Sequence, residues 1–204
     1  MQKPSDYDSV QAYGETAPLE RGGHIMKIVK VEETVSKNGN AMIMIYLDTD
    51  KSDKQPLYFK KKYDADTRAE KKWGCIVYQL IEDLQNGGTN PGFKTFTTSV
   101  EKSNSSSFKI LWGDKFCECF KGRLVGGVFR REEFITQKGK RAWAVKCCAF
   151  RSVAAINEGV EIPEDKPLDA ASQGGYPIPN GTSVAVNVET GEVMTTETED
   201  DYPF

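Results

Sequence analysis

Alternation of apolar and polar residues dominates the first third of the chain. Ile25 to Val35 and Ala41 to Asp48 are rich in β-branched and apolar residues, and the second run puts Ile43, Ile45 and Leu47 on one face and Met42, Met44 and Tyr46 on the other. Between them lies Ser36-Lys37-Asn38-Gly39-Asn40, where Asn-Gly suits the positive φ angles of a tight hairpin turn. Gln55 to Tyr63 continues the alternation and predicts a third strand, with Leu57 and Phe59 to one side and Tyr58, Lys60 and Lys62 to the other. From Asp64 to Gln85 the period lengthens. Trp73, Ile76, Val77, Leu80, Ile81 and Leu84 recur at three and four, predicting an amphipathic helix ended by Asn86-Gly87-Gly88.

Farther on, Phe93, Phe96 and Val100 follow Pro91-Gly92 and predict a second helix reaching Lys102. Phe108 to Trp112 reads as a short strand, and Phe116, Cys119 and Phe120 as a turn of helix. Arg123 to Ile135 and Lys140 to Ser152 form a second hairpin around Thr136-Gln137-Lys138-Gly139. The predicted class is mainly β with helices: a five-stranded OB-fold barrel over residues 22–153, with an amphipathic helix after the third strand. Residues 1–21 read as a flexible leader. Residues 154–204 read as a disordered acidic tail, rich in proline and carboxylates around Ser172-Gln173-Gly174-Gly175, within which Val184 to Val188 and a turn at Glu189 to Glu192 form at most a transient hairpin.

Charge sharpens this division. The formal net charge of -3 conceals 25 Lys and Arg against 16 Asp and Glu from Glu20 to Val153, and 1 against 11 from Ala154 to Phe204. A basic body therefore carries an acidic tail, a pattern suited to a polyanionic partner. The five cysteines, Cys75, Cys117, Cys119, Cys147 and Cys148, have neither disulfide-framework nor CxxC spacing and read as reduced thiols. The single histidine, His24, argues against a His-rich metal site. No metal and no cofactor is implied. No apolar run approaches the roughly 20 residues that span a bilayer, and the N-terminus lacks a signal-peptide core, so the expected setting is cytoplasmic and away from membranes.

Binding single-stranded nucleic acid requires cations along the phosphates and aromatic faces for the bases. Tyr46, Tyr58, Lys60 and Lys62 meet that need on the first sheet segment, with Lys37 in the turn, and Arg130, Arg131, Lys138, Lys140, Arg141, Trp143 and Lys146 repeat it on the second hairpin. The terminal Asp200-Asp201-Tyr202-Pro203-Phe204 resembles the C-terminal tip of bacterial single-stranded DNA-binding proteins, offering an aromatic anchor, a free carboxylate and flanking negative charge to a partner pocket.

Gly22-Gly23, Ser36 to Asn40, Phe93 to Phe96 with Val100 to Asn104, Gly126 to Phe134 and Arg151-Ser152-Val153 together resemble a family of small phage and prophage proteins of Gram-positive bacteria. The resemblance spans residues 22 to 168. It implies an OB-fold single-stranded DNA-binding protein of the phage replication module, acting in a host bacterial cell. The expected function is coating and protecting single-stranded DNA during replication and recombination, without enzymatic activity, while the tip recruits host or phage replication and recombination proteins. A homo-oligomer is compatible with this expectation. The alternatives are a recombination mediator or interaction module with weak DNA binding, and a metal-dependent nuclease using Asp48, Asp50, Glu132 and Glu133. Against the nuclease, Arg130 and Arg131 stand ready to pair with those glutamates.

Overall fold

A computed structural model of the chain describes residues 2–3, 7, 17–85, 87–136, 138–168, 185–186 and 193–194. It is mainly β. Strands β1 (Gly22–Val35), β2 (Ala41–Thr49), β3 (Ile76–Leu80), β4 (Leu124–Ile135) and β5 (Arg141–Arg151) form one antiparallel sheet in the order β3-β2-β1-β4-β5. The edges β3 and β5 are not hydrogen-bonded to each other. Helices α1 (Tyr58–Ala65), α2 (Pro91–Ser103), α3 (Phe116–Cys119) and α4 (Val153–Glu158) lie between and after the strands. A separate pair joins β6 (Ala185–Val186), inside the stretch read as a transient strand, to β7 (Val193–Met194), which follows the expected turn at Glu189 to Glu192.

Both hairpins, α2 and α3 form where the residue patterns predict them. Ile43, Ile45 and Leu47 are fully buried on the inner face, together with Met26 and Ile28 of β1. Asn90 caps α2, its Oδ1 accepting from Gly92 N at 2.8 Å, with Pro91 at the first helical position. Phe96 then stacks on Phe120 and meets Phe150 of β5, with ring centroids 5.2 and 4.9 Å apart. The first turn differs in detail from the expectation: Gly39 has φ 78 whereas Asn38 keeps a negative φ, so glycine alone bears the left-handed conformation.

The third strand is displaced along the chain. Tyr58 to Ala65 is helical, and the strand lies at Ile76–Leu80, inside the stretch whose spacing suggests a helix. The cause is at the end of β2. Thr49 Oγ1 accepts from Tyr58 N at 2.8 Å, and Asp48 Oδ1 accepts from Phe59 N at 2.9 Å and Lys60 N at 3.3 Å. These side chains satisfy N–H groups that the first turn of a helix leaves without partners. Leu57 makes the corner in the left-handed region, at φ 55. Gly74 then lets the chain pass the ring of Phe59, because a Cβ there would lie 2.9 Å from Phe59 Cδ1. Phe108 to Trp112 forms no strand; Ile110 N instead donates to Glu101 Oε1.

The packed unit also runs past residue 153. Ser152 caps α4, and Ile156 sits so close to β4 and β1 that a Cβ on Gly126 would lie 2.4 Å from Ile156 Cγ1, and one on Gly23 3.1 Å from Ile156 Cδ1. Residues 159–168 continue as a strap: Lys166 N donates to Arg131 O and Glu133 N to Lys166 O, each at 2.9 Å. The first sixteen residues, apart from 2–3 and 7, lie outside the described residues, as do most of 169–204, including the tip from Asp200 to Phe204.

Candidate nucleic-acid interface

A β-bulge sets the outward face of the sheet. The β1–β2 register passes from Ile28↔Leu47 to Lys30↔Tyr46, leaving Val29 as an extra residue. Inward positions therefore shift from Met26 and Ile28 to Val31, and Lys30 turns outward. Continuing across β3 gives the rows Lys30, Tyr46, Ile76 and then Glu32, Met44, Tyr78. Lys30 Nζ lies 4.2 Å from the centroid of the Tyr46 ring and 2.8 Å from Glu32 Oε1. Tyr46 is half-buried, and burial together with its hydrogen bond to Glu32 pushes its hydroxyl up to about 12. It stays neutral, presenting a ring rather than a charge. Tyr78, half-buried on the neighbouring strand, is a member of this face that the helical reading of residues 64–85 conceals. Alternation over Ile76-Val77-Tyr78 is the signal that could have found it.

Three candidates from the expected third strand stand on α1 instead. Tyr58 is buried, its Oη accepting from Leu19 N at 2.9 Å, and burial pushes its hydroxyl up to about 12. It is a core residue and does not offer a free ring. Lys62 Nζ lies 4.8 Å from the Tyr58 centroid, and burial draws its ammonium down to about 8. Lys60 is exposed and paired with Asp64 at 2.7 Å.

On the second hairpin the strand cations singled out from the sequence are already matched. Arg130 Nη2 lies 2.8 Å and Lys146 Nζ 3.8 Å from Glu132, Arg141 Nη1 lies 3.4 Å from Glu133, and Arg131 pairs with Asp165. Burial lowers the Lys146 ammonium below its ordinary value, against the opposing pull of Glu132. Trp143 is half-buried, with the Arg131 guanidinium 5.6 Å from its ring. The expected pairing of Glu132 and Glu133 with arginines is present, although the partner of Glu133 is Arg141. By contrast, Lys37, Lys138 and Lys140 are exposed at the turns and make no ion pair among the described residues.

The two turns share one construction. Gly39 N donates to Ser36 O and Gly139 N to Thr136 O, each at 2.8 Å; the Ser36 and Thr136 hydroxyls accept from Asn40 N and Lys140 N. Because β1 and β4 are antiparallel, the tips leave the sheet at opposite ends. One further aromatic, Trp112, is 69% exposed and stacked on Phe116 at 5.3 Å, beside α2 and α3. Its place in Leu-Trp-Gly-Asp-Lys, just before a turn, is a sequence sign of exposure.

The acidic residues considered for metal chemistry have local roles. Asp48 caps α1, and Asp50 Oδ2 accepts from Ser52 N and Oγ. Among the described residues no group of three or more His, Cys, Asp or Glu side chains is placed to hold a metal ion. Compared with known proteins, the chain matches no family model and no curated protein.

Proposed function

We propose that this chain is a single-stranded DNA-binding protein of phage type, whose outward β1–β2–β3 face holds the bases and whose turns hold the phosphates. The observation that carries this reading is the juxtaposition of Lys30, Tyr46 and Tyr78 on adjoining strands. Aromatic rings for stacking and cations for the backbone are the requirements of sequence-independent single-strand binding. The strand order β3-β2-β1-β4-β5, with α2 between β3 and β4, supports an OB-type barrel, in which the face of strands 2 and 3 and the loops joining strands 1–2 and 4–5 bind oligonucleotides. Cys75, next to β3, and Cys147 of β5 pack into the same apolar core, which further supports the approach of the two edges.

In this reading the protein coats single strands exposed during phage replication or recombination, in the host cytoplasm and without catalysis, and its acidic C-terminal tip recruits replication or repair proteins. Titrating salt against equal lengths of single-stranded and duplex DNA tests the binding. Single strands should bind tighter, with log affinity falling linearly with log salt. Equal affinity would contradict the reading, and cleavage of the strand on adding Mg²⁺ would favour a nuclease. Phe204→Ala should leave DNA affinity unchanged and remove capture of replication or repair partners. Retention of the same partners would reduce the tip to a solvating tail.

A further inference from the structure

Two arginines, one just before β1 and one within the neighbouring β4, converge on one carboxylate. Asp165 Oδ2 accepts from Arg131 Nε at 3.0 Å and from Arg131 Nη2, while Asp165 Oδ1 accepts from Arg21 Nη1 at 3.0 Å. Arg21 immediately precedes β1 and Arg131 lies on β4, where the register pairs Gly22 with Phe129. All three side chains remain partly exposed, and among the described residues neither arginine has a second carboxylate within ion-pair distance. The Trp143 indole lies beside the Arg131 guanidinium. Asp165 arrives on the strap, whose backbone is fixed to β4 through Lys166 and whose Leu168 N donates to Glu133 Oε2 at 3.0 Å.

A guanidinium fork fits a phosphate as well as it fits a carboxylate. Two such forks beside an indole form a subsite for one nucleotide, with the arginines gripping its phosphate and the ring receiving its base. We infer that Arg21, Arg131 and Trp143 form a phosphate-and-base subsite for single-stranded DNA, occupied in the free protein by Asp165 acting as an internal phosphate mimic. This inference rests on the DNA-binding reading above. It adds Arg21 to the contact residues and gives the strap a competitive role. The bonds to be exchanged are those of the Asp165 side chain, and the backbone bonds that fix the strap to β4 at Lys166 are separate from them. A partly exposed ion pair is also weak enough individually to be exchanged for a polyanion.

Fluorescence-anisotropy titration of a labelled oligothymidylate with the full chain decides the matter, comparing the parent with Asp165→Asn, Glu161→Gln, Asp165→Asn/Arg21→Ala and Tyr46→Ala. Asp165→Asn should bind about 3- to 10-fold tighter, with a salt slope steeper by about 0.7, the increment for one further phosphate on a single strand. Glu161→Gln makes the same charge change on the strap at a residue that pairs with neither arginine, and should match the parent. Adding Arg21→Ala should erase the gain. No gain in Asp165→Asn, an equal gain in Glu161→Gln, or a gain that survives loss of Arg21 would overturn the subsite. If Tyr46→Ala weakens binding while Asp165→Asn changes nothing, the subsite fails and the functional reading stands; if the parent shows no single-strand binding, both fail. In the unsubstituted protein, the Nε–Hε resonances of Arg21 and Arg131 should shift on adding the oligonucleotide, and static resonances under saturating DNA would overturn the inference even where a variant does not fold.

Discussion

The β1–β2 and β4–β5 hairpins close on the same turn, glycine N–H to Ser36 O in one and to Thr136 O in the other, and differ in how their strands handle charge. On β1–β2 one lysine, Lys30, meets the ring of Tyr46 while also pairing with Glu32. On β4–β5, Arg130, Arg131, Arg141 and Lys146 all face carboxylates. A count of basic residues along the sequence makes the second hairpin look like the stronger anion binder. Four of its strand cations are nonetheless neutralised within the molecule, which leaves the turn lysines and Arg151 at the end of β5 without a carboxylate partner among the described residues. The lesson is that the aromatic face and the electrostatic field belong to different parts of the sheet.

The largest expected effect comes from loosening the joint between the two halves. His24 of β1 is fully buried against Phe129 of β4, at 5.4 Å between ring centroids, with Nδ1 2.9 Å from Asp53 Oδ1 and Nε2 3.0 Å from Glu20 O. His24→Ala would leave Asp53 buried without its side-chain partner and should cost about 3–5 kcal/mol, measured by denaturant unfolding. Burial raises the Asp53 carboxyl, but the hydrogen bond from His24 and those from the Gln55 and Ile25 N–H groups prevail and hold it below its ordinary value. A depressed carboxyl contributes stability above its unfolded value of about 3.9, and that contribution is lost as pH falls through the lower folded value. Asp53→Asn should therefore be less stable at neutral pH and show a flatter decline in acid. An unchanged acid profile would contradict this assignment.

Next in size is the aromatic face. Tyr46→Ala and Tyr78→Ala should each weaken single-strand binding by about 1–3 kcal/mol, roughly 5- to 150-fold, with little change in salt slope. Phenylalanine at either position should restore most of the affinity. The smallest effect separates unpaired from paired cations. Lys37→Ala should lessen the salt slope by about 0.7, whereas Lys60→Ala, which removes a lysine already matched by Asp64, should leave it unchanged. Equal slopes for the two variants would erase the proposed distinction between turns and strands.

Much of this architecture is legible in the sequence because it is written locally. Alternation defines β1, β2, β4 and β5; Asn90-Pro91 and the spacing of Phe93, Phe96 and Val100 define α2. What escapes depends on distant partners. Leu57 to Tyr63 alternates like a strand, and only Asp48 and Thr49 at the end of β2 make Tyr58 onward helical. Ile76 to Leu80 keeps a spacing compatible with either period, so Tyr78 is hidden until β2 pairs with it. The outward turn of Lys30 depends on the bulge at Val29, and the neutralisation of Arg131 on a carboxylate 34 residues away. Of the candidate site residues, Tyr46 and the turn lysines are readable from local pattern, while Tyr58 is lost to the core for the same long-range reason that creates α1.

The central claim is that bases stack on the β2–β3 face, and photocrosslinking tests it most directly. An oligothymidylate carrying 5-iodouracil, irradiated in complex with the full chain and mapped by mass spectrometry, reports which aromatic rings lie against bases. Crosslinks at Tyr46 or Tyr78, with none at the buried Tyr58, are the predicted result. Efficient crosslinking confined to Trp112, on the side of α2 and α3, would contradict the claim and move the binding surface to the helical side of the molecule.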